Sequence, residues 1–412
     1  MLKEIIVSSH NHSVKIALLE NRIPVEVYVE TGEDDRIVGS VFKGKVENVL
    51  PGIEAAFVNV GLERNAFLYV DDVVVPGPKK RHNAKIKDLL RPGQEVLVQV
   101  VKDMFGNKGP RVTMRVNLPG RFTVLMPTVS HIGVSRRIES DRDRERLRRI
   151  AQNVRPNGMG IIVRTAARGV PEEIIREDVA LLNRQWQQIQ GAAQATPAPA
   201  LLYSEQDLLG RVLRDLFTHE VERLVVDTPQ LRDQVLALLD GIDPQLKTHV
   251  YWEDRDNVFA FYGIEQEIQK ALQRRIWLKS GGYLIFDQAE ALTAIDVNTG
   301  KYTGRTDLEH TVFQTNMEAA VEIARQLRLR NIGGIIIVDF IDMIREDHRA
   351  QVLATLAAEI KKDRRRTHIL GLTRLGLVEL TRKKVYPSLA EMLLVPCPSC
   401  GGTGKVIATH TH

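Results

Sequence analysis

The residues best placed to do chemistry are carboxylates at the ends of two apolar runs. ALTAIDVNTG delivers Asp296 and Asn298, and GGIIIVDFIDM delivers Asp339, with Asp342 three residues on. Such runs read as buried strands, where a lone carboxylate is costly to desolvate. Asp296 and Asn298 are two apart on a strand, so their side chains face the same way. If Asp339 joins them from a neighbouring strand, the two carboxylates can share a cation. Positions would remain for water and substrate oxygens, which is how Mg²⁺ is usually held. Such a metal polarises a phosphoryl group and acidifies its bound water. A plainer explanation is that each aspartate caps a helix or meets a lysine. That suits either residue alone, whereas the pair at two strand ends points to the shared cation.

Three further groups carry chemistry. CPSCGGTGK places Cys397 and Cys400 at the CxxC spacing of a zinc knuckle, with glycines for a tight turn around the thiolates. Structural zinc takes four ligands, and the sequence holds no other cysteine. Three readings stay open: help from His410 and His412, two chains giving two thiolates each, or a redox pair. GMGIIVRTAARG puts Arg164 and Thr165 at a strand end beside glycine turns. A guanidinium fork with a neighbouring hydroxyl suits a terminal phosphate, although one such pair is also common surface decoration. Phe57 and Phe67 stand in strand-like stretches beside glycines, with Lys43, Lys45, Lys102 and Lys108 nearby. Rings near lysines are the ingredients for stacking single-stranded bases over a charged groove. Alternatively, both phenylalanines simply fill a core.

The elements that must position these groups follow from size and pattern. A chain of 412 residues exceeds one ordinary core, so roughly two to four domains are expected. The balance of 43% hydrophobic and 26% charged residues is that of a soluble globular protein. The net charge of +5 is compatible with a nucleic-acid partner without requiring one. Basic residues cluster in RDRERLRR near 141–149, around Arg325–Arg330, and in KKDRRRTH at 361–368. Such a run by itself reads as a solvated helix face. No apolar run reaches the length of a membrane span, and the start shows no signal-peptide core. Two cysteines in one motif exclude a disulfide scaffold and fit a reducing cytoplasm.

Residues 1–36 alternate as a β-meander that cannot stand alone, so it must pair with something later. Residues 37–118 hold about five short strands, which fit a small closed barrel of the OB type interrupted by the basic loop PGPKKRHNAKIKD. Residues 119–200 mix strands with a basic helix and end in GAAQATPAPA, read as a linker. Residues 201–275 read helix, strand, helix, with Ser204 and Asp207 as an approximate capping box; they could complete the meander. Residues 276–395 alternate strand and helix, an α/β pattern with a mostly buried sheet. Ligands of such folds sit at the carboxyl ends of strands, where Asp296 and Asp339 fall.

Taken together, FKGKV, IEAAFVNVG, RNAFL, GNKG, VSRRI, GMGIIVRTA, ALTAIDVNTG, GGIIIVDFIDM, TRLGLVELTR and CPSCGGTG resemble the catalytic half of the bacterial ribonuclease E/G family across residues 1–404. The resemblance implies a Mg²⁺-dependent endoribonuclease that cuts single-stranded, A/U-rich RNA and leaves 5′-monophosphate and 3′-hydroxyl ends, in RNA processing and mRNA decay. It implies that Asp296 and Asp339 are the Mg²⁺ ligands, that Asn298 positions the scissile phosphate and that Arg366 is a further catalytic-region residue. Phe57, Phe67, Lys102 and Lys108 become RNA contacts on an S1-type barrel. Arg164 and Thr165, with Val124 behind them, become a sensor for a 5′-monophosphate. Cys397 and Cys400 become half of a Zn²⁺ link between two protomers.

The implied fold is α+β and multidomain. An RNase H-like subdomain (1–36 and 201–275) carries an inserted barrel (37–118) and sensor (119–200). A DNase I-like subdomain (276–394), the zinc-link (395–404) and a tail (405–412) follow. Family members continue past the link with a small domain that builds a dimer of dimers. This sequence ends eight residues after GGTG, so a homodimer is expected rather than a tetramer. The rival class is a non-catalytic RNA-binding module resting on the barrel alone. It leaves the coincidence of Asp296, Asn298 and Asp339 without an explanation.

Overall fold

The computed structural model describes residues 1–10, 13–30, 37–74, 84–104, 108–205, 207–255, 257–300, 308–402 and 404. Most of the basic loop in the barrel sequence, together with His410 and His412, lies outside them. The fold is mixed α+β. The chain divides into two compact units: residues 1–32, 219–237 and 245–412, and residues 33–218 and 238–244.

In the first unit the strands Lys3–His10, Ser13–Glu20 and Ile23–Glu30 form the meander. Its first strand pairs in parallel with Arg223–Val226, which pairs in parallel with Val250–Trp252. Ile6, Ala17, Leu19 and Val225 are thereby buried with Val258, Phe259 and Ile264.

A six-stranded sheet in the same unit runs in the order Arg275–Trp277, Tyr283–Gln288, Leu292–Asn298, Gly334–Asp339, Val378–Arg382, Thr367–Leu372. Only the pair Leu292–Asn298 and Gly334–Asp339 is parallel. Ile295, Val297, Ile336 and Val338 point to one face. They pack against Ala320, Ile323 and Leu327 of the helix Leu308–Leu329 and Val352 and Leu356 of the helix Glu346–Ile360. The expectation of a mostly buried sheet is corrected here. Both helices cover the same face, and the other leaves Leu292 and Ile335 exposed. The apolar runs are therefore half-buried strands, with the carboxylates on the open side.

The basic run Arg325–Arg330 also departs from its reading as a solvated helix face. Arg328 and Arg330 are buried. Arg328 donates to Glu20 at 2.8 Å and to Glu26 at 3.0 Å, and Arg364 reaches Glu26 at 2.6 Å. Arg325 meets Glu322 and Glu267, while Arg330 lies over the Phe286 ring and donates to Gln326. Apart from Glu322 on the same helix, the carboxylate partners come from segments distant in sequence, so the helix pattern alone could not reveal them. By contrast, the helix Asp141–Val154 turns Leu147, Ile150 and Val154 inward and leaves Arg142, Arg148 and Arg149 exposed.

In the second unit the strands Val41–Leu50, Ala55–Asn59, Ala66–Tyr69, Arg111–Thr113 and Glu95–Lys102 form a five-stranded barrel. It closes where Val41–Lys45 meets Glu95–Gln99. Ala56, Val58, Ala66, Leu68 and Val98 fill it. A four-stranded sheet, in the order Ile132–Val134, Gly160–Val163, Thr123–Met126, Leu118–Pro119, packs with the helices Asp141–Val154 and Glu172–Ala195. The stretch read as a linker is corrected. Residues 191–195 continue the long helix, and Ala200–Tyr203 is a strand on the barrel's Val41–Leu50. Alanines extend a helix readily, and the first proline comes only after it ends. The capping box is also corrected. Asp207, not Ser204, caps the helix Leu208–Asp215 by accepting the Gly210 N–H at 2.8 Å. Because the strand still occupies residue 203, the helix starts later. That strand and helix fall in the barrel-bearing unit.

The arginine–glutamate cluster has a pH signature. Burial pushes the Glu26 carboxyl up, but Arg364 and Arg328 outweigh it and hold the group at about 2, below its ordinary 4.5. A depressed carboxyl stabilises the fold above its unfolded pKa, and that contribution disappears as pH falls through the folded value. Thermal scans should therefore show Glu26→Gln flattening the acid loss of Tm between about pH 4.5 and 2. Arg328→Ala should cost about 3–5 kcal/mol at neutral pH by leaving Glu20 and Glu26 buried without it. A wild-type pH profile for Glu26→Gln would remove the cluster's role.

Candidate active site and nucleic-acid interface

The parallel pairing of Leu292–Asn298 with Gly334–Asp339 sets Asp296 directly beside Asp339. Opposed residues share a face, and neighbouring strands lie about 4.8 Å apart. The two carboxylates therefore stand abreast at the carboxyl ends of their strands, on the open side. Asn298 Nδ2 donates to Asp296 Oδ2 at 2.8 Å and holds that carboxylate in place. Partial burial pushes the Asp339 carboxyl up from its ordinary value, and the charges of Asp296 and Asp342 add to the shift. Asn316 is buried on the helix behind the sheet. It donates to the Ile341 carbonyl at 2.7 Å and accepts the Ile341 N–H at 3.1 Å, clamping the turn that carries Asp342. Its place mid-helix hid it in the sequence.

Repelling carboxylates on an open face are the donor chemistry of a hard cation. Among the described residues no group of three or more His, Cys, Asp or Glu is arranged to hold a metal. A cation here would thus take two protein carboxylates and fill the rest with water and substrate oxygens, which fits Mg²⁺.

Arg366 lies elsewhere on the sheet. Thr367, the next residue, is aligned through Arg382 with Gly334, at the start of the strand that ends in Asp339. That places Arg366 about 20 Å from Asp339 at ordinary strand spacings. Its guanidinium donates to His368 at 2.7 Å. The structure does not bring it to the aspartate pair.

On the barrel, Phe57 sits opposite Phe67, with ring centroids 6.0 Å apart and an interplanar angle of 71°. Both are half-buried and neither belongs to the barrel core, so they do not fill it. Phe67 is aligned with Arg111 and Arg111 with Lys102, which continues the row with two cations. Arg111 also pairs with Asp72 at 2.9 Å. Sequence reasoning missed it, because only the strand register puts it beside the rings. Lys108 is exposed next to Gly109, where a Cβ would fall 2.1 Å from the Asn65 carbonyl oxygen. The glycine thus lets the Lys108 segment lie against the chain leading into Phe67. Lys43 is tied to Glu95 and the Thr196 carbonyl.

The third group lies in the four-stranded sheet. The Arg164 N–H donates to the Phe122 carbonyl, and Val124 is aligned with Ile162, so Arg164 and Val124 share a face. The Arg164 guanidinium donates to the Gly120 carbonyl at 2.5 Å and pairs with Asp215 at 2.8 Å. Thr165 Oγ1 lies 2.9 Å from Ser135 Oγ. Asp178, on the long helix, accepts the N–H groups of Arg121, Phe122 and Thr123 and the Thr123 hydroxyl. A Cβ on Gly120 would fall 2.6 Å from that carboxylate, so the turn requires glycine.

Comparison with known proteins decides the family. Residues 117–385 match the model of the Ribonuclease E/G family. The chain is 42% identical to Ribonuclease G of Escherichia coli over 419 residues, which cover 100% of this chain and 86% of that protein. It is 46% identical to Ribonuclease E of Nostoc sp. over 414 residues, covering 99% of this chain and 59% of that protein. The chain belongs to the ribonuclease E/G family. It is accordingly an endoribonuclease.

In this family member Cys397 is exposed and Cys400 half-buried, and neither is in a disulfide among the described residues. The backbone N–H groups of Cys400 and Ser399 hold the Cys397 thiol below the usual thiol range. The Gly404 N–H donates to Cys400 Sγ at 3.3 Å. A turn that presents N–H groups to sulfur fits thiolate ligation, and two thiols supply half of a tetrahedral zinc site. No helix among the described residues is long and apolar enough to cross a membrane.

Proposed function

We propose that this chain is a Mg²⁺-dependent, single-strand-specific endoribonuclease acting in RNA processing and mRNA decay. It would cut A/U-rich RNA to 5′-monophosphate and 3′-hydroxyl ends, with a 5′-monophosphate on the substrate favouring cleavage. The single observation that carries the reading is the Asp296–Asp339 pair on an open sheet face, with Asn298 tied to Asp296. A non-catalytic RNA-binding module would have no use for two carboxylates that repel RNA.

Asp296 and Asp339 would hold Mg²⁺, which when bound supplies a polarised phosphoryl oxygen and an acidified water. Asn298 keeps the Asp296 carboxylate oriented and has a second amide N–H to offer a phosphate oxygen. Products with a 5′-phosphate require water to attack phosphorus while the bond to the 3′-oxygen breaks and that oxygen takes up a proton. Arg366, remote from the carboxylates, would contact RNA phosphate and act in the catalytic region only through the substrate. Phe57 and Phe67 would stack bases, with Lys102, Lys108 and Arg111 on the backbone. Arg164 and Thr165, backed by Val124, would receive the 5′-phosphate, with Arg164 exchanging Asp215 or the Gly120 carbonyl for the phosphate oxygens.

The domain names follow the same reading. The meander sheet is RNase H-like, the sheet of Asp296 and Asp339 is DNase I-like, and residues 37–118 and 119–200 are S1-type barrel and sensor. Residues 395–404 form a zinc-link in which Cys397 and Cys400 of two protomers share one Zn²⁺, making a homodimer. Two cysteines outside any disulfide, together with an RNA substrate, would suit a cytoplasmic location.

Three experiments test the reading. Asp296→Asn should lower the cleavage rate of a short A/U-rich RNA by at least about 100-fold while leaving affinity for that RNA within about threefold. Normal cleavage by this variant would remove the metal assignment. A 5′-monophosphorylated oligonucleotide should be cut faster than its 5′-hydroxyl twin by the wild type, and the difference should vanish in Arg164→Ala. Equal wild-type rates would end the sensor proposal. Joint replacement Cys397→Ser and Cys400→Ser should give zinc-free monomers by metal analysis and light scattering. Persistent dimers would show that another interface holds the chains.

A further inference from the structure

The open face that carries the aspartates also carries a second group of side chains. In the edge strand, Arg275 is opposite Ile285 and Trp277 opposite Tyr283. Ile285 is in turn opposite Asp296, and Tyr283 opposite Asn298. Opposed residues share a face, so Arg275, Trp277 and Tyr283 point to the same side as Asp296, Asn298 and Asp339. At ordinary strand spacings Tyr283 is about 8 Å from Asp296 and Trp277 about 12 Å. Trp277 is 58% exposed. Its ring meets Tyr283 edge to face at 5.3 Å. The Arg275 guanidinium lies 4.6 Å from the Tyr283 centroid and 5.7 Å from that of Trp277.

The core does not account for this group, because the residues that turn inward from the same strand and its turn are Ile276 and Leu278. A large exposed ring on an edge strand is a solubility liability unless something covers it. The turn is nonetheless held firmly. Glu318 accepts the N–H groups of Lys279 and Ser280. A Cβ on Gly282 would fall 2.8 Å from the Asn298 carbonyl oxygen, and one on Gly300 would fall 2.5 Å from that of Gly281. The turn is thus docked against the strand end that delivers Asn298. A flat ring presents a stacking surface for a base, and a guanidinium beside it offers charge to a phosphate.

We propose that Trp277, Tyr283 and Arg275 form a base-stacking subsite for a nucleotide flanking the scissile phosphate. The proposal rests on Asp296 and Asp339 being the catalytic centre. It adds a second base contact, on the catalytic sheet itself, separate from Phe57 and Phe67 on the barrel. A base held within one or two nucleotides of the cut gives the enzyme a means of preferring one sequence at the cleavage position.

The test is a cycle between enzyme and substrate, using the full chain with Mg²⁺ and single-stranded oligonucleotides that carry one abasic position on either side of the cut. Trp277→Ala should raise KM about tenfold with kcat within about threefold, and Trp277→Phe should restore KM. One abasic position should raise the wild-type KM similarly and add nothing in Trp277→Ala. In Asp296→Asn, oligonucleotide binding should quench tryptophan fluorescence, and the quench should be lost in Asp296→Asn combined with Trp277→Phe. An unchanged KM in Trp277→Ala, or penalties that add at every abasic position, overturns the subsite. A changed oligomeric state with unchanged KM also overturns it and makes the patch a protein contact. Full cleavage by Asp296→Asn would instead sink the metal assignment, while the abasic cycle on the wild type would still decide whether Trp277 stacks a base.

Discussion

The register of two parallel strands is the constraint on which the six-stranded sheet depends. Asp296 and Asp339 repel one another, yet the pairing places them side by side. What holds them there is the opposite face. Ile295, Val297, Ile336 and Val338 alternate with the exposed positions and are buried against two helices. A slip of one residue in either strand would turn that whole set to solvent. The hydrophobic face therefore fixes the position of the charges and holds an unfavourable pair together at the expense of part of the sheet's stability.

A second, ionic constraint ties the meander to this arrangement. Arg328 leaves the helix behind the six-stranded sheet and meets Glu20 and Glu26 on meander strands, while Arg364 reaches Glu26 from the turn before Thr367–Leu372. Desolvated charges are tolerable only when each is paired. Here every partner comes from a different part of the chain. Residues that read as a solvated helix face are instead the joint of the first unit.

The second unit uses its glycines for proximity. Gly109 lets the segment bearing Lys108 lie against the chain near Phe67, and Gly120 lets Asp178 grip the turn before Val124. Neither place has room for a Cβ. In both cases a backbone approach builds a cluster: a row of rings and cations on the barrel, and a guanidinium with hydroxyls in the four-stranded sheet.

Much of this was legible in the sequence, because periodicity and turn residues are local. The meander, the five barrel strands and the strand-end placement of Asp296 and Asp339 follow from alternation and length alone. The motifs together sufficed for the family. Where local signals competed, the sequence misled: an alanine-rich stretch read as a linker is helix and strand, and Ser204 yields the helix cap to Asp207. Other features needed register or distant partners. Arg111 joins the two phenylalanines, Arg366 falls far from the aspartates, Asn316 clamps the turn beyond Asp339, and Trp277 shares their face. Side-chain type and spacing determine what each residue is able to do. Which residues do it together is decided by strand pairing and buried charge partners, because those link positions that no local pattern connects.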